Sequence, residues 1–377
     1  MTQPIVFTEE QALVAASARD LLSAQVSFDH VRAQIDSEAG YDATLFREIA
    51  GLGWLGMAVP EAQGGAELGA TELVAVLEEM GRAVYGSPFL ATVLAAELLR
   101  CAGNEAQQER WLPGLAAGTA IGTIAVSEGQ GSWDLAALDT TATRDGHSFV
   151  LRGEKSFVLD AQNANLLLVA CRIGDGPGIA VVDAANLPDG ALRPERLVDG
   201  SRRSARVRLD DVRVDADALL TGDEASSALR RVNLLGALLL AAEMSGTALG
   251  VFHLTLDYLK QRVQFGRKIG SYQALKHPMV EILLELEHAR SLLYHAATLW
   301  DHHPDASDVE VAVRSAKLAC GDSCSEAVDR AIQFHGAYGF TWECHAQLFF
   351  RRAQWAAYTF GDSAHHRRHL ASLLLPK

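Results

Sequence analysis

Arg262, Gln264, Phe265, Gly266, Arg267, Lys268, Gly270 and Gln273 crowd into one connection, LKQRVQFGRKIGSYQALKHPM (residues 259–279), between two long apolar helical runs. A guanidinium stays charged and forks onto phosphate or carboxylate oxygens, so Arg262 with the Phe265 ring nearby suits a diphosphate joined to a flat group. A second stretch, QFHGAYGFTWE (residues 333–343), sets the Gln333 amide beside Gly336 and Gly339, where backbone can approach a ligand closely. A plainer reading stands level with this one on the residues alone: two helix-ending loops, with Arg262 in an internal ion pair.

Other groupings carry less chemistry. Glu285-Leu286-Glu287-His288 has the Glu-x-x-His spacing of di-iron bundles, but a second such motif is missing, which favours a solvated or interface helix face. Cys320, Cys324, Cys344 and His345 lack the paired spacing of a zinc site and read as buried thiols. His365 and His369 in HHRRH lie one turn apart, yet Arg367 and Arg368 would repel a metal ion, which leaves a solvated helix end. GDGPG (residues 174–178) lies between two strand-like runs and reads as a turn, because no helix follows to hold phosphate. No metal site is expected.

The 377-residue chain is 49% hydrophobic, enough for two or three domains with a sizeable core. Its formal charge of −14 repels phosphate backbones and anionic lipid, so nucleic acid is excluded as a partner. The five cysteines are odd in number and unevenly spaced, which suits free thiols in a reducing cytoplasm. The start, MTQPIVFTEEQ, lacks the basic and apolar regions of an export signal. Residues 232–252 are apolar enough to imitate a membrane span. Glu243 near the centre would cost about 3 kcal/mol in a bilayer, so a buried bundle helix is expected instead.

Three changes of period organise the chain. Residues 1–119 read as helices, opening after Phe7 with the capping box Thr8-Glu9-Glu10-Gln11 and broken by Pro60, Gly64 and Gly65. Residues 120–220 alternate with period two. TTATRDGHSFVLRG reads as a hairpin about Asp145-Gly146 in a type I′ turn, and SARVRLDDVRV alternates Val207 and Leu209 with Arg206 and Arg208. Residues 221–377 return to the helical period. The first helix there, from about residue 223, spans ~60 Å at about 1.5 Å per residue. Two more long helices follow, the second opening with a capping box at Ser307-Asp308-Val309-Glu310, and then a shorter one after residue 343. The expected fold is mainly α: an N-terminal helical domain, a middle antiparallel β-barrel or sandwich, and a C-terminal four-helix bundle.

LGWLGMAVPEAQGG, VLEEMGRA, IAVSEGQGSWD, RVQFGRKIGSYQALKH and QFHGAYGFTWE stand in the order and spacing of the acyl-CoA dehydrogenase family, which the chain resembles over nearly its whole length. The resemblance implies the same three-domain fold, with a β-barrel in the middle. It also implies FAD as cofactor, an acyl-CoA thioester as substrate, and a dimer or tetramer with flavin at the subunit interface. Arg262, Phe265, Ile269, Gln273, Gln333 and Gly336 would reach the diphosphate and adenosine of a neighbour's FAD. Ser127 would stand near the flavin ring and Phe157 over it.

The same resemblance exposes departures. The family removes a proton from the thioester Cα with a carboxylate while hydride leaves Cβ for the flavin. The turn that usually carries this base reads Thr359-Phe360-Gly361-Asp362, with Phe360 in the base position. The alternative glutamate position on the first bundle helix holds Gly236, followed by Ala237 where an arginine often lies. Leu159 replaces a threonine near flavin N5, and Trp133 replaces a small serine. Two expectations follow: a subunit of a heteromer whose sister supplies the base, or a self-sufficient dehydrogenase with a relocated base, Asp362 or Glu243.

Overall fold

A computed structural model gives the structure of the protein and describes residues 8–174, 176–303 and 307–375. In chain order the helices and strands are α1 (Glu9–Gln25), α2 (Phe28–Asp36), α3 (Ala43–Gly51), α4 (Ala70–Arg82), α5 (Phe89–Ala102), α6 (Glu105–Ala116), β1 (Gly122–Ala125), β2 (Thr141–Asp145), β3 (Ser148–Leu159), β4 (Leu166–Ile173), β5 (Gly176–Asp183), β6 (Leu192–Pro194), β7 (Ser204–Asp215) and β8 (Leu219–Leu220). The C-terminal part adds α7 (Gly222–Gln261), β9 (Val263–Gln264), β10 (Arg267–Lys268), α8 (Gln273–His302), α9 (Ser307–His335), α10 (Ala346–Tyr358) and α11 (Ser363–Leu374). They form two compact units that interleave along the chain. One comprises residues 1–33, 70–85 and 237–377, the other residues 34–69 and 86–236.

The first unit is helical. Thr8 caps α1 with the reciprocal box expected, its hydroxyl accepting the Gln11 amide at 3.1 Å while the Gln11 side chain accepts the Thr8 amide. Phe7 lies outside the described residues, as does the Ser307 side chain on which the second expected capping box depends. Apart from Arg82, every residue of α4 is buried. Its backbone lies against that of α7, because a side chain on Gly81 would strike the Glu243 carbonyl and one on Gly246 that of Glu78. The α4 amino terminus is closed from α8, where the Asp301 carboxylate accepts the Ala70 amide at 2.6 Å and the Thr71 amide at 3.0 Å. α7 passes the length and hydropathy test for a membrane span, and 89% of its most apolar window is buried within the protein. That agrees with a core helix.

The second unit holds α3, α5, α6 and a sheet ordered β6-β7-β3-β2-β4-β5-β8, with β1 beside β4. Along β7 the side chains of Val207 and Leu209 point inward between those of Arg206 and Arg208, as the alternation predicts. The sheet is neither closed nor wholly antiparallel. Its path ends at two short strands, β6 and β8, and β1 pairs parallel to β4 from Gly122↔Leu166 to Ala125↔Val169. No hairpin joins β1 to β4: β2 and β3 intervene, so a parallel pairing is open to it. The β2–β3 hairpin forms, but its two-residue loop is Gly146-His147 between paired Asp145 and Ser148. Positive φ falls on Gly146 alone, at 64°, whereas a type I′ turn needs it at both positions. The turn after Ile173 pairs it with Gly176, as read from GDGPG, although Asp175 lies outside the described residues.

Candidate functional site

The expected cofactor residues of the helical unit share one property. Arg262, Phe265, Gln273, Gln333 and Gly336 are exposed and Ile269 is half-buried. Among the described residues, the Arg262 guanidinium and the amides of Gln273 and Gln333 have no hydrogen-bond partner, which removes the internal ion pair of the plainer reading. The backbone explains how Phe265 is presented. β9 and β10 pair Gln264 with Arg267 about a two-residue loop in which Phe265 has φ 52° and Gly266 φ 78°, the mark of a type I′ turn. An aromatic residue strains to adopt that conformation, and here its ring is 92% exposed. Beside it Arg267 stacks on Tyr272, 3.9 Å from the ring centroid.

The expected base positions behave in the opposite way. Phe360 has φ 57° and is 3% exposed, so the turn expected to carry the base holds a buried apolar ring. Gly236 offers no side chain. Glu243 is fully buried and ion-paired with Arg352 at 2.5 Å, and Arg352, also fully buried, donates to the carbonyls of Tyr85 and Val84 at 3.2 Å each. A buried guanidinium left without its counterion is costly, so this carboxylate is held as a structural charge. Asp362 is the N-cap of α11, its Oδ1 accepting the His365 amide at 2.7 Å. Each of the two relocated-base candidates is thus engaged in a structural contact.

The motifs set aside as weak fall where helix geometry puts them. Glu285 and His288 lie on the exposed face of α8, and Cys320 and Cys324 are buried on α9. His345 stacks on Phe28 at 4.0 Å rather than joining Cys344 in a ligand set. HHRRH is not a helix end: it lies inside α11, and His366 is 1% exposed. Burial and the charges of Lys317, Arg314 and His365 push the His366 imidazole down to about 3.

In the second unit, Ser127 follows β1 and Phe157 sits in β3. Ser127 is 1% exposed and, among the described residues, its hydroxyl lacks a partner, as does that of Ser156, whose amide donates to the Ser127 carbonyl at 2.9 Å. Phe157, the residue after Ser156, has φ 53° and is 37% exposed. Fully buried Lys155 ties the same two segments, donating to the Val126 carbonyl at 3.3 Å and to Glu128 at 2.5 Å on either side of Ser127. Burial lowers the pKa of the Lys155 ammonium. Burial alone would raise that of Glu128, but Lys155 and the amides of Thr140 and Asp139 bring it below the usual value. Leu159 turns its carbonyl, not a hydroxyl, to use, accepting Thr123 Oγ1 at 2.6 Å.

Lys155, Glu128 and Ser156 carry no signal in the sequence that singles them out. A lysine inside a strand pattern reads as solvated, and nothing in the linear order marks a partner on the loop after β1. The left-handed phenylalanines are more legible than their geometry: Phe157, Phe265 and Phe360 are three of the non-glycine residues with positive φ among the described residues, and position alone marks all three.

Comparison with known proteins agrees with this geometry. The chain matches the acyl-CoA dehydrogenase N-terminal domain over residues 8–119, the middle domain over 123–212 and the C-terminal domain over 230–375. It is 34% identical over 316 residues to acyl-CoA dehydrogenase FadE12 of Mycobacterium tuberculosis, covering 80% of each chain. A structure described as a variant of the Tcur3481-Tcur3483 steroid ACAD superposes with a TM-score of 0.87 at 32% identity, covering 97% of this chain and 98% of that one. The ChsE4-ChsE5 complex from Mycobacterium tuberculosis has the same fold, with a TM-score of 0.89 at 23% identity over 100% of both chains. The chain belongs to the acyl-CoA dehydrogenase family of FAD-dependent oxidoreductases, which act on acyl-CoA thioesters.

Proposed function

We propose that this chain is one subunit of a heteromeric acyl-CoA dehydrogenase, contributing to flavin binding while a sister subunit supplies the carboxylate that takes the Cα proton. One observation carries the reading. Every carboxylate expected at the base is missing or engaged, at Phe360, Gly236, Glu243 and Asp362, whereas Arg262, Phe265, Gln273, Gln333 and Gly336 of the cofactor set are exposed. Support also comes from the Tcur3481-Tcur3483 and ChsE4-ChsE5 structures, each named as a pair.

The residues present fit FAD. Arg262 would pair with the diphosphate of the neighbouring subunit's FAD, Phe265 and Ile269 would face its adenosine with Gln273, and Gln333 and Gly336 would complete that edge. Ser127 fits the ring end through its unsatisfied hydroxyl, with Phe157 covering the ring. When bound, FAD supplies the hydride acceptor for the thioester Cβ. This chain's own work is to hold and shield: Phe157 excludes water from one face, and Phe360 keeps the base position apolar. The boundaries near residues 119 and 220 would separate the helical, β and bundle segments of each subunit. The free cysteines fit a cytoplasmic location, and the mycobacterial and steroid relatives point to a fatty-acid or sterol side-chain thioester.

The test is anaerobic bleaching of the flavin by a panel of acyl-CoA thioesters. The chain purified alone should not bleach, and its complex with a paralogue bearing glutamate at the Phe360 position should. Bleaching by the lone chain, lost in Asp362→Asn or Glu243→Gln, would return the base to this subunit and end the heteromer reading.

A further inference from the structure

Phe157 lies where β3 and β7 fall out of register. Lys155 pairs with Val207 and Val158 with Ala205, so Ser156 and Phe157 together oppose the single Arg206, a β-bulge. The φ of 53° at Phe157 puts an aromatic residue in the left-handed region, at a cost on the order of 1–2 kcal/mol. Packing of the ring does little to offset this, because the ring is left partly exposed. What opposes the strain is backbone tethering on both sides. The Ser156 amide donates to the Ser127 carbonyl at 2.9 Å, and the Phe157 amide donates to Glu195 Oε2 at 2.8 Å. Glu195, in the segment after β6, is itself held, accepting Ser204 Oγ at 3.0 Å and Arg206 Nε at 3.1 Å. A carboxylate fixed by two donors therefore spends its remaining lone pairs on the one amide that strain would otherwise release.

We propose that Glu195 is a positioning residue: it holds Phe157 left-handed, so that the ring and the neighbouring Ser127 hydroxyl present one edge to the flat ring system of the flavin. The inference rests on the cofactor reading above and adds to it a residue that touches no ligand.

The full chain loaded with FAD tests it through FAD affinity, emission of the bound flavin and melting temperature. Losing a hydrogen bond to a charged group is worth about tenfold in affinity, so Glu195→Ala should weaken FAD by about that factor and shift the emission of the bound flavin as the covering ring moves and water reaches the ring system. Glu195→Gln retains an oxygen that accepts the Phe157 amide and should restore both. Arg206→Ala, which removes an ion pair but not the tether, should leave the emission unchanged. A Glu195→Ala protein that melts earlier yet binds FAD with wild-type affinity and emission overturns the proposal. Phe157→Gly guards against misfolding, since glycine takes the left-handed conformation without help. Adding Glu195→Ala to it should change nothing further in FAD affinity, and an additional loss overturns the inference. A wild-type complex with the sister subunit that takes up no FAD overturns the cofactor reading itself, and this inference with it.

Discussion

Two turns of the helical unit begin alike and end differently. Each follows a bundle helix, α7 or α10, and each places a phenylalanine followed by glycine in the left-handed region, Phe265-Gly266 and Phe360-Gly361. Phe360 is buried, and its turn is knotted inward: Thr359 Oγ1 donates to the Trp355 carbonyl at 3.0 Å and Asp362 caps α11. Phe265 faces solvent, with Arg262 before it and Arg267 after it in the sequence. Strain at a buried aromatic is offset by packing, but strain at an exposed one has no internal compensation. The comparison separates a turn that belongs to the core from one shaped for something outside the chain.

The largest effects should come from the buried side. Phe360→Ala removes a packed ring and should cost about 3–5 kcal/mol of unfolding free energy by urea titration. Arg352→Met should cost a similar amount, about 3–5 kcal/mol, because it leaves the Glu243 charge buried without its counterion. Combining it with Glu243→Gln should recover much of that loss. A cost below about 1 kcal/mol for Phe360→Ala would mean that the turn is not part of the core, and one as small for Arg352→Met that the Glu243 pair carries no structural charge.

Acid should reach the same region next. His366 is held neutral behind the turn, its pKa pushed from 6.5 down to about 3. Between those values the unfolded chain binds a proton that the native chain does not. The stability contributed by the neutral imidazole is therefore complete above pH 6.5 and lost progressively as pH falls toward 3, by up to a few kcal/mol. A thermal melt series from about pH 7 to about pH 4 should fall less steeply in His366→Gln than in the wild type. Parallel slopes would remove His366 from the account.

Asp362 gives a smaller effect of a different kind. As an N-cap its replacement by alanine should cost about 1 kcal/mol, and Asp362→Asn, which caps equally well, close to nothing. A base would behave the other way: asparagine would keep the stability and abolish turnover. The pair of variants therefore separates the capping role from the catalytic one in one experiment.

How far these roles can be read in advance depends on how local their causes are. The Thr8 capping box, the uninterrupted 40 residues of α7 and the alternation in β7 each depend on neighbours within one or two turns, and each is legible. The Asp362 cap has a local signal as well, an aspartate just before a helix start, but its position beside the usual base draws the reading toward catalysis. The parallel pairing of β1 and the tether from Glu195 to Phe157 are not legible. They join residues far apart in sequence, and no spacing rule specifies the partner. Exposure is the other missing quantity: the sequence marks Phe265 and Phe360 equally well, and only the structure distinguishes them.

The smallest effect on stability should come from Phe265, and it is the most informative. With the ring 92% exposed, deleting it forfeits almost no burial, and glycine accepts the φ of 52° without strain. Phe265→Gly should therefore be as stable as the wild type or more stable by up to about 1 kcal/mol, since removing strain is set against the greater freedom of an unfolded glycine. An exposed aromatic in a strained turn that does not help its own chain must be maintained by a contact outside it. The same variant should accordingly lose FAD affinity or assemble less well, measured by flavin fluorescence and sedimentation. Unchanged stability with unchanged binding would leave the strain at Phe265 without a cause and end the contrast with Phe360.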